Sequence, residues 1–304
     1  MTEIDIVARG FGFPEGPVAL ADGSVVITEI NGGRISRIAP DGAVTPLGTP
    51  AGGPNGLAIG PDGALYLCDN GGARYLPGHF MGMGPSTDYT GGSIQRVDLH
   101  TGARRTLYDT VDSNRLSAPN DIVFDRQGGF YFTDLGKRHP RHRGNGGLYY
   151  AQPDGSSVTE IAYPILSANG VGLSPDERTV YVADTEGARL WAFEVQSPGV
   201  LKPPLFPAHH SGRCIAGLPG SARFDSLAVT QSGNIVVATL GTGVLAVFAP
   251  DGTLLDEVRM PDSHPTNVCF GGPDMRTAWI TLSAAGELAR MTWPEPGLRL
   301  NFQQ

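Results

Sequence analysis

Six residues with a side-chain oxygen recur along this 304-residue chain at the head of one repeated pattern: Glu15, Asn55, Asn120, Asn169, Asp225 and Asn267. None is cationic or apolar, and two are carboxylates. Asp or Asn at the start of a strand is ordinary turn chemistry, because the side chain hydrogen-bonds the nearby backbone. That explanation suits any one position, such as Asp225 at the head of "DSLAVTQSGNIVVAT", but it does not cover Glu15 or the run of six. Oxygen-only donors that include two carboxylates suit a hard divalent cation, since calcium takes roughly 6–8 oxygens from carboxylates, amide carbonyls and water. Magnesium and manganese accept the same donors, and zinc more often takes His or Cys. The expected cofactor is one divalent metal, calcium first, with magnesium, manganese or zinc as alternatives. A cation held in an open mouth keeps positions free for water and substrate, which is a catalytic arrangement rather than a purely structural one.

The elements that must gather these residues are legible as repeats. The segments are "EGPVALADGSVVITE", "NGLAIGPDGALYLCD", "NDIVFDRQGGFYFTD", "NGVGLSPDERTVYVAD", "DSLAVTQSGNIVVAT" and "NVCFGGPDMRTAWIT", each a strand, a turn and a second strand. The turn residue falls seven places after the first residue in every copy, and the second strands end at Glu29, Asp69, Asp134, Asp184, Thr239 and Thr281. Third strands follow, such as "GRISRIAPDG" and "GVLAVFAPDG", and fourth strands are visible in "RRTLYDT", "VTEIAYP" and "LLDEVRMP". Repeat starts lie 40, 65, 49, 56 and 42 residues apart, the period of a four-stranded propeller blade with insertions. The expected fold is therefore all-β: a six-bladed β-propeller with four-stranded blades, spanning residues 1–304 as one domain. The last repeat shows three strands, and "IDIVARG" before the first would complete its blade and remove an exposed sheet edge. First strands line the central channel, so the six oxygens should meet at one of its mouths. The long insertions after Asp69, after Asp134 and before Arg223 belong over that mouth and are expected to form the substrate pocket.

Composition narrows the partners. Gly 43 and Pro 25 with no long stretch of helical periodicity favour many short strands. Lys+Arg 22 against Asp+Glu 30 gives a net charge of −8, which argues against nucleic acid as a partner. Cys68, Cys214 and Cys269 are odd in number and have no metal-site spacing, so no disulfide framework is indicated. No signal-peptide pattern opens the chain and no apolar run is long enough to span a bilayer, so no membrane partner is expected and the cytoplasm is the expected location.

With its motifs "FPEGP", "PND", "ANGVGLSPD", "FDS" and "TNVCFGG" in order, the sequence resembles the senescence-marker-protein/gluconolactonase/luciferin-regenerating-enzyme family, which includes regucalcin, over nearly its whole length. The resemblance implies a six-bladed propeller with one divalent metal, usually calcium, at the channel mouth, and hydrolysis of sugar-derived or related small lactones. It implies that Glu15, Asn169 and Asp225 bind the metal, with Asn120 a fourth ligand or a substrate contact. Asn55 and Asn267 would stand behind the ligands or touch substrate. One departure bears on substrate: gluconolactonases of the regucalcin type carry an arginine two residues before the asparagine of "ND", and here that position is Ala118, which argues against unmodified gluconolactone. Diisopropylfluorophosphatase and the paraoxonases share the plan, so an organophosphate or aryl-ester hydrolase is the alternative within this architecture.

For a lactone, Asp225 is the expected catalytic residue, either as the base that takes a proton from water or as a direct nucleophile. Lys137, Arg138, His139, Arg141, His142 and Arg143 form a basic loop that reads either as solvated charge or as an attractor for an anionic substrate, with Arg138 and His139 the candidate contacts. His209 and His210, in a Pro-rich linker, would at most form pocket wall, and Asp134 and Asp184 read as supports. A propeller can also be a protein-binding platform or a calcium-binding regulator without catalysis. A platform has no need of Glu15 and Asp225 in one ring, which favours the enzyme.

Overall fold

The computed structural model describes residues 3–205 and 208–303. Six sheets carry the fold, each running outward from an inner strand. Blade 1 is built from Pro14–Ala19, Val25–Glu29, Arg34–Ile38 and Val44–Pro46, and blade 2 from Pro54–Ile59, Leu65–Asp69, Ser93–Val97 and Arg104–Tyr108. Blade 3 comprises Pro119–Phe124, Phe130–Asp134, Gly146–Ala151 and Val158–Ile165. Blade 4 comprises Ala168–Leu173, Thr179–Asp184, Arg189–Ser197 and Arg213–Gly217, with Val200–Leu201 beside the far end of its third strand. Blade 5 is Arg223–Val229, Ile235–Leu240, Val244–Phe248 and Leu254–Arg259. In blade 6, Pro265–Gly271, Thr277–Leu282 and Glu287–Thr292 are joined by Asp5–Arg9, whose Ile6 pairs with Ala289. The "IDIVARG" closure expected from the sequence is thus the observed one. Among the described residues no helix is long and apolar enough to cross a membrane.

Each inner strand packs against the inner strands of both neighbouring blades, so the ring closes. Between blades lie six apolar clusters, each drawn from two adjacent sheets; the one between blades 2 and 3 contains Tyr66, Phe124, Phe130 and Phe132. Alternation explains this, because successive side chains of a strand face opposite sides and both sides of a blade are covered. Near the mouth there is no room for such packing. A Cβ on Gly56 would come within 2.5 Å of the Asn120 carbonyl oxygen, and one on Gly170 within 2.7 Å of the Leu227 nitrogen. Glycine after the ring asparagine therefore lets one inner strand touch the next. Blades are also stitched at this level, as Thr28 Oγ1 donates to the Asn55 carbonyl at 2.7 Å and Thr133 Oγ1 to that of Asn169.

Two outer strands escaped the sequence reading, Val44–Pro46 and Arg213–Gly217. The second corrects the assignment of the segment before Arg223 to the pocket. Its central part is spent pairing with Arg189–Ser197, whose long exposed edge needs a partner. His210 lies on that same flank, its ring 5.1 Å from Trp191 and 5.5 Å from Phe193, and it is not pocket wall. Phe206 and Pro207, in the same segment, lie outside the described residues. The sequence also gave no role to the C-terminal segment, which crosses the end of the channel opposite the ring. There Leu298 N bonds Val229 O, Asn301 Nδ2 bonds Phe124 O, and Gln303 Nε2 bonds Phe270 O, all near the far ends of inner strands.

The tight contact at Gly56 is testable. Gly56→Ala forces the inner strands of blades 2 and 3 apart and should lower stability by about 1–3 kcal/mol in urea unfolding. An unchanged midpoint would mean that the strands have slack there.

Candidate functional site

All six inner strands share one irregularity: the pairing register with the second strand shifts beside the ring residue, between Glu15 and Val18, Pro54 and Leu57, Pro119 and Ile122, Ala168 and Val171, Phe224 and Leu227, and Pro265 and Asn267. Such bulges re-aim a side chain out of the alternating pattern. In blades 1 to 4, acids at the ends of second strands fix the approach of the chain to the bulge. Asp134 accepts from the amides of Ser117, Ala118 and Gly136, Asp69 from Gly53 and Gly71, Glu29 from Gly12, and Asp184 from Ser167 and Gly187. They are supports for the ring, as expected for Asp134 and Asp184.

The mouth opens into a cavity of about 210 Å³. Glu15, Asn55, Asn120, Asn169 and Asp225 line it and are each buried. The sixth residue, Asn267, does not line it; its Nδ2 donates to Glu15 Oε2 at 3.1 Å, so it holds a carboxylate from behind. Asn169 Nδ2 donates to Thr185 Oγ1 at 3.0 Å, and Ser226 Oγ reaches Asn169 Oδ1 at 3.4 Å. Asn55 Oδ1 and Asn120 Oδ1 are buried with no hydrogen-bond partner. An orphaned buried carbonyl is costly and calls for a ligand.

The floor is electrostatically unbalanced. Burial pushes Glu15 well above the usual carboxylate range, and the charge of Asp225 pushes it further, against the bonds from Asn267 and Gly16. Burial raises Asp225 to about 8, with the Asn169 bond opposing and Asp121 adding to the rise. Asp121, which the sequence reading passed over, is the third acid of this set. It follows the ring asparagine where Gly16, Gly56 and Gly170 stand in other copies, it is buried, and burial raises it to about 7 against bonds from Ile122 N and Val171 N. An acid at a position that three of the other five copies fill with glycine was the available signal. Among the described residues no three His, Cys, Asp or Glu side chains converge as a metal-holding group. A cation here would rely on two carboxylates and on amide oxygens, two of which lack any other partner.

Two of the three long insertions form walls. The one after Asp69 supplies Ala73, Tyr75, Met81 and Gly84; the one after Asp134 supplies Gly136, Lys137, Arg138 and Arg143. Tyr75 was not singled out from the sequence, yet it is half-buried on the cavity wall and close enough to Glu15 for that carboxylate to raise its hydroxyl, after the larger effect of burial. Lys137 is not solvated charge: it is 8% exposed, its Nζ donates to the carbonyls of Asn70 at 2.7 Å and Gly72 at 2.6 Å, and it lies 4.6 Å from the centre of the Tyr89 ring. It pins one insertion to the other. Phe80 carries the first insertion onward, to 6.3 Å from Phe13 and 4.8 Å from His264, so it arches over blade 1 towards blade 6. Arg138 lines the cavity; His139 does not and stacks instead on His142 at 4.4 Å.

Residues 13–284 match the family model described as SMP-30/Gluconolactonase/LRE-like region. The chain belongs to this family. Similar proteins include a gluconolactonase of Zymomonas mobilis, 26% identical over 311 residues covering 93% of this chain and 79% of that protein, and the lactonase drp35 of Staphylococcus saprophyticus, 31% identical over 79% of this chain and 67% of its own. A solved gluconolactonase structure from Xanthomonas campestris superimposes with a TM-score of 0.76 at 25% identity, covering 96% of this chain and 90% of its own.

Glu15, Asp121 and Asp225 each hold a proton more tightly in the folded chain than an unfolded carboxylate does, so their effect on stability is fully favourable below pH ~4 and is lost as pH rises. In chelator, the urea midpoint should fall as pH rises through about 7 to 8, and added calcium should raise it most at the upper end. Acids whose pKa is lowered, such as Glu29, act below that window. A chelated protein no less stable at the upper end than at the lower would contradict this picture of the floor.

Proposed function

We propose that this chain is a metal-dependent lactonase: it opens a small lactone by adding water to the ring carbonyl. The observation that carries the reading is the pair of buried carboxylates, Glu15 and Asp225, on the floor of a cavity whose neighbouring Asn120 and Asn55 oxygens lack partners. Two relatives that align with most of the chain are named gluconolactonase and lactonase, which supports the same class.

Glu15, Asn120, Asn169 and Asp225 would hold the cation, and an oxygen-only set with two carboxylates suits calcium. When bound, the cation polarises the lactone carbonyl oxygen and stabilises the charge that develops there. Asp225 takes the proton from the attacking water as its oxygen bonds to the carbonyl carbon, the ring C–O bond breaks, and Asp225 returns that proton to the released alkoxide oxygen to give the hydroxy acid. Burial and Asp121 raise the proton affinity of Asp225, and a bound cation would lower it, favouring the ionised carboxylate that a base requires. Asn169, braced by Thr185 and Ser226, keeps Asp225 in place, and Asn267 does the same for Glu15. Phe13, Ile30 and Tyr75 limit the water that reaches the ring.

Acid release from a panel of aldonolactones, aromatic lactones and aryl esters, with chelator and then with calcium restored, tests the proposal. Turnover of at least one lactone should vanish in chelator and return with calcium; metal-independent turnover, or none on any member, would sink it. Asp225→Asn keeps an oxygen donor and should leave calcium binding weakened but measurable by calorimetry, while kcat falls by about 10²–10⁴. Full activity in that variant would remove Asp225 from the chemistry.

A further inference from the structure

The ring order of the blades places the cavity walls around the mouth. Phe13, Ile30, Ala73, Tyr75 and Met81 come from blades 1 and 2 and the insertion after Asp69, making one side apolar. The opposite side, from blades 3 to 5, presents Arg138, Arg143 and Arg223, with Glu186 as the acid on the rim. Arg143 is committed to the scaffold: its Nη1 meets Glu186 Oε1 at 3.2 Å and its Nη2 donates to the Leu135 carbonyl at 2.8 Å. Glu186 also lies 3.7 Å from the Nε of Arg223, so one carboxylate serves two guanidiniums. Arg138 has no ion-pair partner among the described residues. The three form a cluster: Arg143 is held below the usual guanidinium range by burial, and Arg138 and Arg223 lower it further against Glu186 and Asp184.

We propose that the cavity selects lactones carrying a carboxylate, gripped by Arg138 and Arg223, while the uncharged body of the ring lies against Phe13, Ile30 and Tyr75. This rests on the lactonase reading of the cavity and specifies its substrate class. Guanidinium groups bind carboxylates through paired, charge-assisted hydrogen bonds, and a cleft with an apolar wall concentrates their field. Orientation follows from depth. Arg138 and Arg223 are exposed at the rim whereas Glu15 and Asp225 are buried at the floor, so the substrate carboxylate stays at the rim and the reacting carbonyl points down. The carboxylate and the carbonyl therefore sit on opposite sides of the ring, as in a γ-lactone whose carboxylate is on the carbon bearing the ring oxygen. Ala118, small and buried on the cavity wall, leaves space for that ring.

The probes are 5-oxotetrahydrofuran-2-carboxylate and its uncharged carboxamide, which share the lactone ring. The wild-type protein should prefer the carboxylate by about tenfold or more in kcat/KM, the size expected of a charge-assisted bond. In the double variant Arg138→Gln/Arg223→Gln the preference should fall towards one, mainly through KM. Arg126→Gln, paired with Glu177 at the opposite end of the blades, should leave the ratio unchanged. Equal kcat/KM for the two probes in the wild type, or a double variant that slows both alike, would overturn the carboxylate grip while leaving the lactonase reading standing. If neither probe is opened, calorimetry with the lactam 5-oxopyrrolidine-2-carboxylate decides. Binding that the double variant abolishes keeps the grip and counts against turnover of such lactones; binding that is absent or indifferent to the arginines overturns the grip.

Discussion

Glu15 and Asp225 are buried at one mouth of the channel, where each resists ionisation and the charge of Asp225 raises the proton affinity of Glu15. Two like charges without bulk water are tolerated only on a frame that does not yield or with a counter-charge between them. The frame is the ring of inner strands, which approach so closely beside the site that glycine is required at Gly56 and Gly170. The orphaned oxygens of Asn55 and Asn120 show the same polarity of design, since all these groups offer electron pairs and lack a positive partner. A divalent cation would answer both needs, which is the physical ground of the proposed metal site.

Away from the floor, the structure divides its polar groups into supports and contacts. The acids that end second strands look like candidates for chemistry by type, but each accepts from an amide of the incoming chain and spends its other oxygen on the scaffold. Lys137 looks like surface charge by its neighbours in sequence, yet it is the buried tie between two walls. Arg138 and Arg223 remain with incomplete pairing, and they are the groups left to meet something that arrives from solvent.

Much of this was legible in the residues. The equal offset from ring residue to turn residue in all six copies fixed the number of blades, and "IDIVARG" was recognisable as the strand that closes the last one. Five of the six oxygen-bearing residues do meet at the cavity, because equivalent positions of equivalent strands must lie at one height of a closed ring. The misses share a cause. Val44–Pro46 and Arg213–Gly217 are outer strands with one partner each and exposed residues, so they carry no alternating pattern. Asp121 was hidden by its neighbour Asn120, because it does not line the cavity with Asn120 and acts on Glu15 and Asp225 from behind the floor, through charge rather than contact.

The sequence by itself determined the period, the closure and the chemistry of the ring, since these depend on residue type at fixed spacing along the chain. Only the tertiary structure decided that Asn267 stands behind Glu15, that Tyr75 comes down beside it, that the segment before Arg223 becomes an outer strand, and that the arginines gather opposite an apolar wall. Those outcomes depend on where insertions of unequal length fold back over a rigid rim. Contacts between residues far apart in the chain set that path, and no local pattern records them.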